Sequence, residues 1–140
     1  MILAQDVLPG VVRHLADARA MGLKLGVASS STGDWVKGHL ARLGILESFD
    51  CVRCRDDVPN AKPEPDLYLA VLECLGVRAS EAIAIEDSPN GVLAAKRAGL
   101  RCVAIPNSIT AQLDLGQADL VLGSLAELTL AELLRKLPAA

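Results

Sequence analysis

Two adjacent carboxylates are the residues of this sequence best placed to do chemistry. Glu86 and Asp87 directly follow the apolar run Ile83–Ile85, where a buried charge is costly unless a cation or hydrogen bonds compensate it. Hard carboxylate oxygens with room for water suit Mg²⁺. The alternative is a pair of carboxylates stabilised by the dipole of a following helix. We favour a metal site, because Asp and Glu are seldom buried without a partner.

A single lysine lies between residues that restrict its backbone. In Ala61-Lys62-Pro63-Glu64-Pro65 the prolines fix the chain and limit how far the ammonium group can move. A lysine held in this way is a point charge suited to a phosphate or to a carboxylate nucleophile. A solvated lysine in a turn is the simpler interpretation, and it is favoured when Lys62 is considered by itself.

A run of hydroxyl side chains, Ser29, Ser30 and Ser31, follows the apolar pair Val27-Ala28 and precedes a predicted helix. The first amides of a helix can hold a phosphate group, although serine is equally common as an ordinary helix cap. Like Lys62 and the two carboxylates, the serines come after an apolar run. In open parallel sheets ligands bind beyond the carboxyl ends of the strands, so we expect these groups to converge at one edge.

The elements that position these residues alternate between helix and strand. Helical periodicity begins after Pro9-Gly10 and recurs three times before a last helix, for which Ser124 and Glu127 form a capping box. The predicted strands between the helices are apolar runs, which indicates a parallel sheet covered on both faces. The predicted fold is a Rossmann-like, three-layer α/β/α sheet within a single domain spanning residues 1–140. The first eight residues form no convincing element, which suggests that the fold is entered partway through.

The amino-acid composition argues against two classes of binding partner. The 140 residues carry a net charge of -3 with mixed signs, and only 2% are aromatic. Neither a basic footprint nor a base-stacking platform is present, so we predict no nucleic acid and no anionic membrane as a partner. The amino-terminal residues resemble neither a signal peptide nor a membrane span, and we place the protein in the cytoplasm.

The four cysteines point to packing rather than to a cofactor. Cys51 and Cys54 have the spacing of half a zinc or redox site, but no second pair follows. Cys74 and Cys102 lie in apolar patterns and are predicted to be core residues. We also assign Tyr68 to packing.

Together the motifs resemble the haloacid dehalogenase superfamily, in particular its beta-phosphoglucomutase-like phosphatase branch. Val27-Ala28-Ser29-Ser30-Ser31 resembles the second motif, Lys62-Pro63-Glu64-Pro65-Asp66 the third, and Ile85-Glu86-Asp87-Ser88-Pro89-Asn90-Gly91 the acidic fourth. The resemblance implies that Ser29 and Lys62 are catalytic, that Ser29, Ser30, Ser31 and Lys62 bind phosphate, and that Glu86 and Asp87 hold Mg²⁺. It also implies a small phosphorylated metabolite as substrate.

The family's nucleophile is not found in this sequence. In the family, an aspartate that ends the first strand attacks phosphorus, and a second aspartate two residues later acts as acid and base. Asp6 does not fit, because Leu8 stands two residues later. We therefore expect the first strand, the nucleophile and the mobile cap to be absent, and the sheet to be incomplete.

Three hypotheses follow for the function. The first is a magnesium-dependent phosphatase or phosphomutase that works through an aspartyl-phosphate, of which this chain is the carboxyl-terminal part and inactive alone. The second is a non-catalytic protein that binds phosphate and magnesium, or forms a homodimer through an exposed sheet edge. The third is a receiver-like or flavodoxin-like domain, for which the ordered set of Ser29, Lys62, Glu86 and Asp87 is a poor match.

Overall fold

Strands and helices alternate around one parallel sheet. The computed structural model describes residues 2–3, 10–107 and 113–139. In the described part of the chain the sheet has six strands in the order β3-β2-β1-β4-β5-β6. The strands are β1 (Ile2–Leu3), β2 (Gly26–Ala28), β3 (Cys51–Arg53), β4 (Ile83–Glu86), β5 (Arg101–Ala104) and β6 (Leu120–Val121). The helices are α1 (Val11–Ala20), α2 (Gly33–Arg42), α3 (Asp66–Leu75), α4 (Pro89–Arg97) and α5 (Leu130–Lys136).

Two apolar cores cover the two faces of this sheet. One core contains residues of α1, α2 and α5, and the other contains residues of α3 and α4. In β4, Ile83 and Ile85 face the first core while Ala84 faces the second, as the two-residue period of a strand requires. All neighbouring strands are parallel. The predicted three-layer α/β/α fold is therefore confirmed.

A short strand occupies the centre of the sheet, where we expected none. Ile2–Leu3 pairs in parallel with β2 on one side and with β4 on the other. The prediction that the first residues form no element is wrong, and so is the expected gap in the sheet. Hydrophobic periodicity cannot detect a strand of two residues, because so short a segment shows no recognisable pattern of apolar residues. The neighbouring strands supply the hydrogen bonds that make it a strand. Only residues 4–10 separate β1 from α1, so no cap domain is inserted there.

The start of the last helix also differs from the prediction. Ser124 caps a short 3₁₀ turn, Leu125–Glu127, by accepting a hydrogen bond from the N–H of Ala126. The capping box that opens α5 is formed by Thr129 and Glu132. Both tetrapeptides match the same capping pattern, and the sequence alone does not say which one continues into a helix.

One cysteine prediction is confirmed and another is wrong. Cys102 is fully buried, and burial is the main cause that raises its thiol pKa to about 12. Cys74 is exposed and forms a disulfide with Cys51, 23 residues away. Cys54 is a buried free thiol. Cys51 and Cys54 therefore do not form a dithiol pair, because the sulfur of Cys51 is bonded to Cys74 of α3.

Asp50 connects the two loops that lead into β2 and β3. Its Oδ2 accepts a hydrogen bond from the N–H of Leu25 at 2.8 Å, and its Oδ1 lies 3.2 Å from Nη1 of Arg19. The Leu25 hydrogen bond is the main cause that holds the pKa of this carboxyl below its usual range. The ionised carboxylate therefore stabilises the entry to both strands.

Candidate functional site

The predicted site residues lie at the carboxyl edge of the sheet. Ser29 follows β2, Glu86 ends β4 and Asp87 comes next. All three are buried, with 7%, 2% and 6% of their surface exposed. Buried polar side chains need partners, and the partners found here define the site.

Lys62 joins the ends of β2 and β4. Its ammonium donates to the carbonyl oxygen of Ala28 at 3.0 Å and to Oε2 of Glu86 at 2.5 Å. The lysine side chain is 7% exposed and the glutamate side chain 1%. The peptide bond between Lys62 and Pro63 is cis. The alternative of a solvated lysine in a turn is excluded, because the ammonium is buried against the strand that leads to Ser29.

Tyr68 is a second partner of Glu86. This residue of α3 is completely buried in the core, so its assignment to packing is correct. Its hydroxyl also donates to Oε2 of Glu86, and its ring lies 5.1 Å from the Lys62 ammonium. Burial, and then the charge of Glu86, raise the pKa of Tyr68 well above its ordinary value. The phenol therefore stays protonated and acts as a fixed donor.

The first turn of α4 fits closely around the Glu86 carboxylate. Ser88 caps the helix by accepting a hydrogen bond from the N–H of Gly91 at 3.1 Å. A Cβ atom on Gly91 would lie 1.7 Å from Oε1 of Glu86, far inside van der Waals contact. The glycine is thus required for this approach of helix and carboxylate.

Asp87 presents a carboxylate oxygen that has no protein partner in the described residues. Its Oδ2 accepts a hydrogen bond from Nδ2 of Asn107 at 2.9 Å, whereas Oδ1 is buried and unpaired. Burial, and then the neighbouring charge of Glu86, raise the pKa of Asp87. A cation at Oδ1 would offset both effects.

The three consecutive serines differ in how far they are exposed to solvent. The hydroxyl oxygen of Ser29 accepts a hydrogen bond from the N–H of Ser31 at 3.1 Å, and the N–H of Ser29 donates to the carbonyl of Arg53 at 3.0 Å. Ser30 and Ser31 are exposed. The structure therefore brings Ser29 to the Lys62 and Glu86 group, and leaves the other two serines at the rim.

Sequence reasoning overlooked Tyr68 and Asn107 as members of the site. Asn107 follows the apolar run of β5, so the rule that led to Asp87 also applies to it. No comparable signal exists for Tyr68, since a core tyrosine shows its hydroxyl partner only after folding. Asp6 lies outside the described residues.

Magnesium fits part of this donor set. Glu86 and Asp87 supply hard oxygens, and the unpaired Oδ1 of Asp87 is suited to a divalent cation. Glu86, by contrast, is bound by Lys62 and Tyr68. No cluster of three or more His, Cys, Asp or Glu residues occurs in the described ranges. A bound ion would take its other ligands from water, from phosphate oxygens or from further protein residues.

Comparisons with known proteins agree with the family resemblance of the sequence motifs. The sequence profile of the family "Haloacid dehalogenase-like hydrolase" matches residues 4–105. YhcW of Bacillus subtilis is 47% identical over 131 residues, which is 94% of this chain and 60% of that protein. Validoxylamine A 7'-phosphate phosphatase of Streptomyces hygroscopicus subsp. limoneus is 38% identical, over 89% of this chain and 58% of that enzyme.

Solved structures give a similar result. CbbY from Rhodobacter sphaeroides in complex with phosphate superposes with a TM-score of 0.85 at 38% identity, covering 91% of this chain and 58% of CbbY. Beta-phosphoglucomutase from Clostridium difficile gives a TM-score of 0.83 at 30% identity, covering 94% of this chain and 56% of that enzyme. The chain thus spans about 60% or less of the length of these relatives. None of the helices in the described part of the chain is long and apolar enough to cross a bilayer.

Proposed function

The chain belongs to the haloacid dehalogenase-like hydrolase family, and from this premise we propose that it carries the phosphate- and magnesium-binding part of a phosphatase or phosphomutase. The observation that carries the proposal is the buried Lys62 ammonium, which lies between the Ala28 carbonyl and Glu86. Its two partners, Ala28 and Glu86, directly precede the buried Ser29 and Asp87 with its unpaired oxygen. The proposed substrate is a small phosphorylated metabolite.

Each residue of the site has a proposed role. The Ser29 hydroxyl and the Lys62 ammonium bind oxygens of the phosphoryl group, and the lysine neutralises charge that develops during transfer. Ser30 and Ser31 line the entrance. Asp87, with Glu86 beside it, holds Mg²⁺, which when bound supplies further positive charge at the phosphoryl oxygens.

The attacking group would come from residues beyond this set. In the proposed reaction an aspartate oxygen forms a bond to phosphorus as the bond to the leaving oxygen breaks, and water later hydrolyses the aspartyl-phosphate. Tyr68 and Asn107 are positioning residues in this scheme, because they orient Glu86 and Asp87. We propose that the chain is a truncated form that lacks turnover by itself.

The test is phosphate release from an aryl phosphate in the presence of Mg²⁺. We expect the chain alone to release phosphate no faster than buffer does. Robust turnover that Lys62→Ala abolishes would show that the chain contains its own nucleophile. The nucleotide sequence upstream of Met1 gives an independent check: an in-frame apolar run ending in Asp-x-Asp-Gly supports truncation of an enzyme, whereas a nearby stop codon opposes it.

One observation favours the second candidate, a non-catalytic protein that binds phosphate and magnesium. β1 pairs with both β2 and β4, so the described sheet is continuous without a strand from elsewhere. Such a protein would associate through a sheet edge, either β3 or β6, to form a homodimer. Sedimentation of the chain across a range of concentrations tests this assembly.

The proposed working compartment is the cytoplasm, as expected from the sequence. The Cys51–Cys74 disulfide weighs against it, because cytosolic thiols are kept reduced. Mass spectrometry of protein alkylated at the moment of cell lysis decides the matter. Four alkylated cysteines fit the cytoplasm, and two fit an oxidising compartment.

A further inference from the structure

One disulfide joins the first residue of β3 to the last turn of α3. Cys51 and Cys74 are bonded across 23 residues, with their Cα atoms 6.3 Å apart. Cys51 is buried, whereas Cys74 is exposed. Because thiol–disulfide exchange depends on access to a sulfur atom, a thiol in solution can reach this bond from the side of Cys74 while the protein is folded.

The disulfide closes a loop that contains both hydrogen-bond donors to the Glu86 side chain. Lys62 and Tyr68 lie between the two cysteines in the sequence, and each donates to Oε2 of Glu86. Glu86 itself is in β4, outside the loop. The bond therefore restricts the movement of the segment that carries these two donors, relative to the carboxylate that they hold.

The last turns of α3 pack closely on the sheet at the level of the disulfide. Gly26 of β2 is opposite Cys51 in the pairing register. A Cβ atom on Gly26 would lie 2.6 Å from Cγ1 of Val71 and 3.3 Å from Cδ1 of Leu75. Packing and the covalent bond thus hold the same end of α3, and cleavage of the bond leaves the packing alone.

The two other cysteines cannot take over the bond. Cys54 belongs to the core on the opposite face of the sheet from Cys51. Cys102 is in β5, four strands from β3, a separation of roughly 19 Å at about 4.8 Å per strand, well beyond the roughly 7 Å between Cα atoms that a disulfide allows. Cys51 and Cys74 therefore form a pair with two states, bonded or reduced.

We propose that Cys51 and Cys74 form a reversible redox site, at which a dithiol reductant controls how firmly Lys62 and Tyr68 hold Glu86. A thiolate of the dithiol attacks Sγ of Cys74, the sulfur–sulfur bond breaks, and Cys51 leaves as a thiolate that takes up a proton. The second thiol of the dithiol then displaces Cys74 and closes the dithiol's own disulfide. Two electrons and two protons pass to the protein.

Reduction should loosen the loop without unfolding the protein, because both apolar cores remain. The ammonium of Lys62 and the hydroxyl of Tyr68 would then be held by non-covalent contacts alone. In reducing compartments, disulfides are usually transient and often sense the redox state, which fits a bond with one exposed cysteine. The expected effect on phosphate binding rests on the function proposed above, whereas the effect on the Tyr68 contact does not.

The readout is the NMR signal of ring-labelled tyrosine, because the sequence contains a single tyrosine, Tyr68, and a single tryptophan, Trp35. We expect reduction of the full chain by dithiothreitol to shift the Tyr68 signal, and reoxidation to restore it. The indole signal of Trp35, which lies outside the loop, should not move. Inorganic phosphate, titrated calorimetrically with Mg²⁺ present, should bind the reduced chain at least about fivefold more weakly, at the lower end of the range for coupled sites.

Two variants separate the bond from general effects of the reductant. Cys74→Ser cannot form the bond, and it should show the reduced signal and the weaker phosphate binding with or without dithiothreitol. Cys54→Ser keeps the bond, and it should respond to dithiothreitol as the wild type does.

Three outcomes would overturn the proposal. A Tyr68 signal that is the same in both states, with only the free energy of unfolding lowered by reduction, would make the bond a structural link alone. Equal phosphate affinity of the two forms would show that the bond does not control the site. Reduction no faster than global unfolding, at any dithiothreitol concentration, would mean that the bond is closed to attack in the folded protein. If neither form bound phosphate, the function proposed above would fail, and the Tyr68 signal by itself would decide on the redox site.

Discussion

Replacing Gly91 with alanine should break the connection between α4 and the Lys62–Glu86 pair. A Cβ atom at this position would lie 1.7 Å from Oε1 and 2.1 Å from Cδ of Glu86. The carboxylate cannot retreat without losing its bonds to Lys62 and Tyr68, and the helix cannot retreat without withdrawing Val92 and Ala95 from the core. The substitution is small, yet each way of accommodating it breaks a buried contact.

The expected magnitude follows from two opposing effects. Breaking a buried ion pair so that one charge remains unpaired costs about 3–5 kcal/mol, and the 1% exposure of the Glu86 side chain leaves little screening by water. Alanine in place of glycine in a helix contributes up to about 1 kcal/mol of stability. The net loss in the free energy of unfolding is therefore about 2–4 kcal/mol, taking the difference of the two.

The assay is urea unfolding followed by circular dichroism, with Gly38→Ala as the matched control. Gly38 lies within α2, and a Cβ atom there would be 3.6 Å from its nearest neighbour, Nη1 of Arg42. The control should gain up to about 1 kcal/mol. If Gly91→Ala were as stable as Gly38→Ala, the close approach of α4 to Glu86 would not exist in solution.

Three further predictions concern charge and covalent linkage. Lys62→Met should lower the free energy of unfolding by about 3–5 kcal/mol, because it leaves Glu86 buried without its cation; the double variant Lys62→Met/Glu86→Gln should recover much of this loss, and no recovery would refute the pairing. Asp50→Asn should cost about 1 kcal/mol near pH 7; since the folded-state pKa of Asp50 is lowered, the wild-type advantage should be fully present above the unfolded-state pKa and disappear as the pH falls through the folded-state value. Urea titrations of both proteins between pH 7 and pH 2 check this, and a constant difference would contradict it. Cys74→Ser should cost about 3 kcal/mol, because the disulfide with Cys51 closes a loop of 23 residues; a reducing agent should lower the stability of the wild type to that of the variant and leave the variant unchanged.

The sequence predicted the parts of the fold and site that depend on local pattern. Apolar runs located β4 and β5, and the rule that ligands bind beyond the carboxyl ends of parallel strands brought Ser29, Lys62 and Glu86 to one edge. Lys62, which the solvated interpretation placed in a turn, is buried at that edge. The strands were predictable because each depends on residues within a few positions of one another, and the shared edge follows from their parallel order.

Features that depend on tertiary contact were not predictable in the same way. β1 exists because β2 and β4 offer hydrogen bonds on both sides, and no two-residue pattern can reveal such a setting. The Cys51–Cys74 disulfide joins positions that are distant along the chain. The hydroxyl of Tyr68 meets Glu86 only after α3 packs on the sheet.

The most direct test of the proposed site is calorimetric titration of Mg²⁺ in the presence of inorganic phosphate. The proteins to compare are the wild type, Asp87→Asn and, as a matched control, Asp34→Asn, which removes an exposed carboxylate from α2. We predict that the wild type and Asp34→Asn bind Mg²⁺ alike, and that Asp87→Asn binds it at least about tenfold more weakly, a difference of about 1.4 kcal/mol. No binding by the wild type, or equal binding by all three, would contradict the assignment of a phosphate and magnesium site to this edge of the sheet.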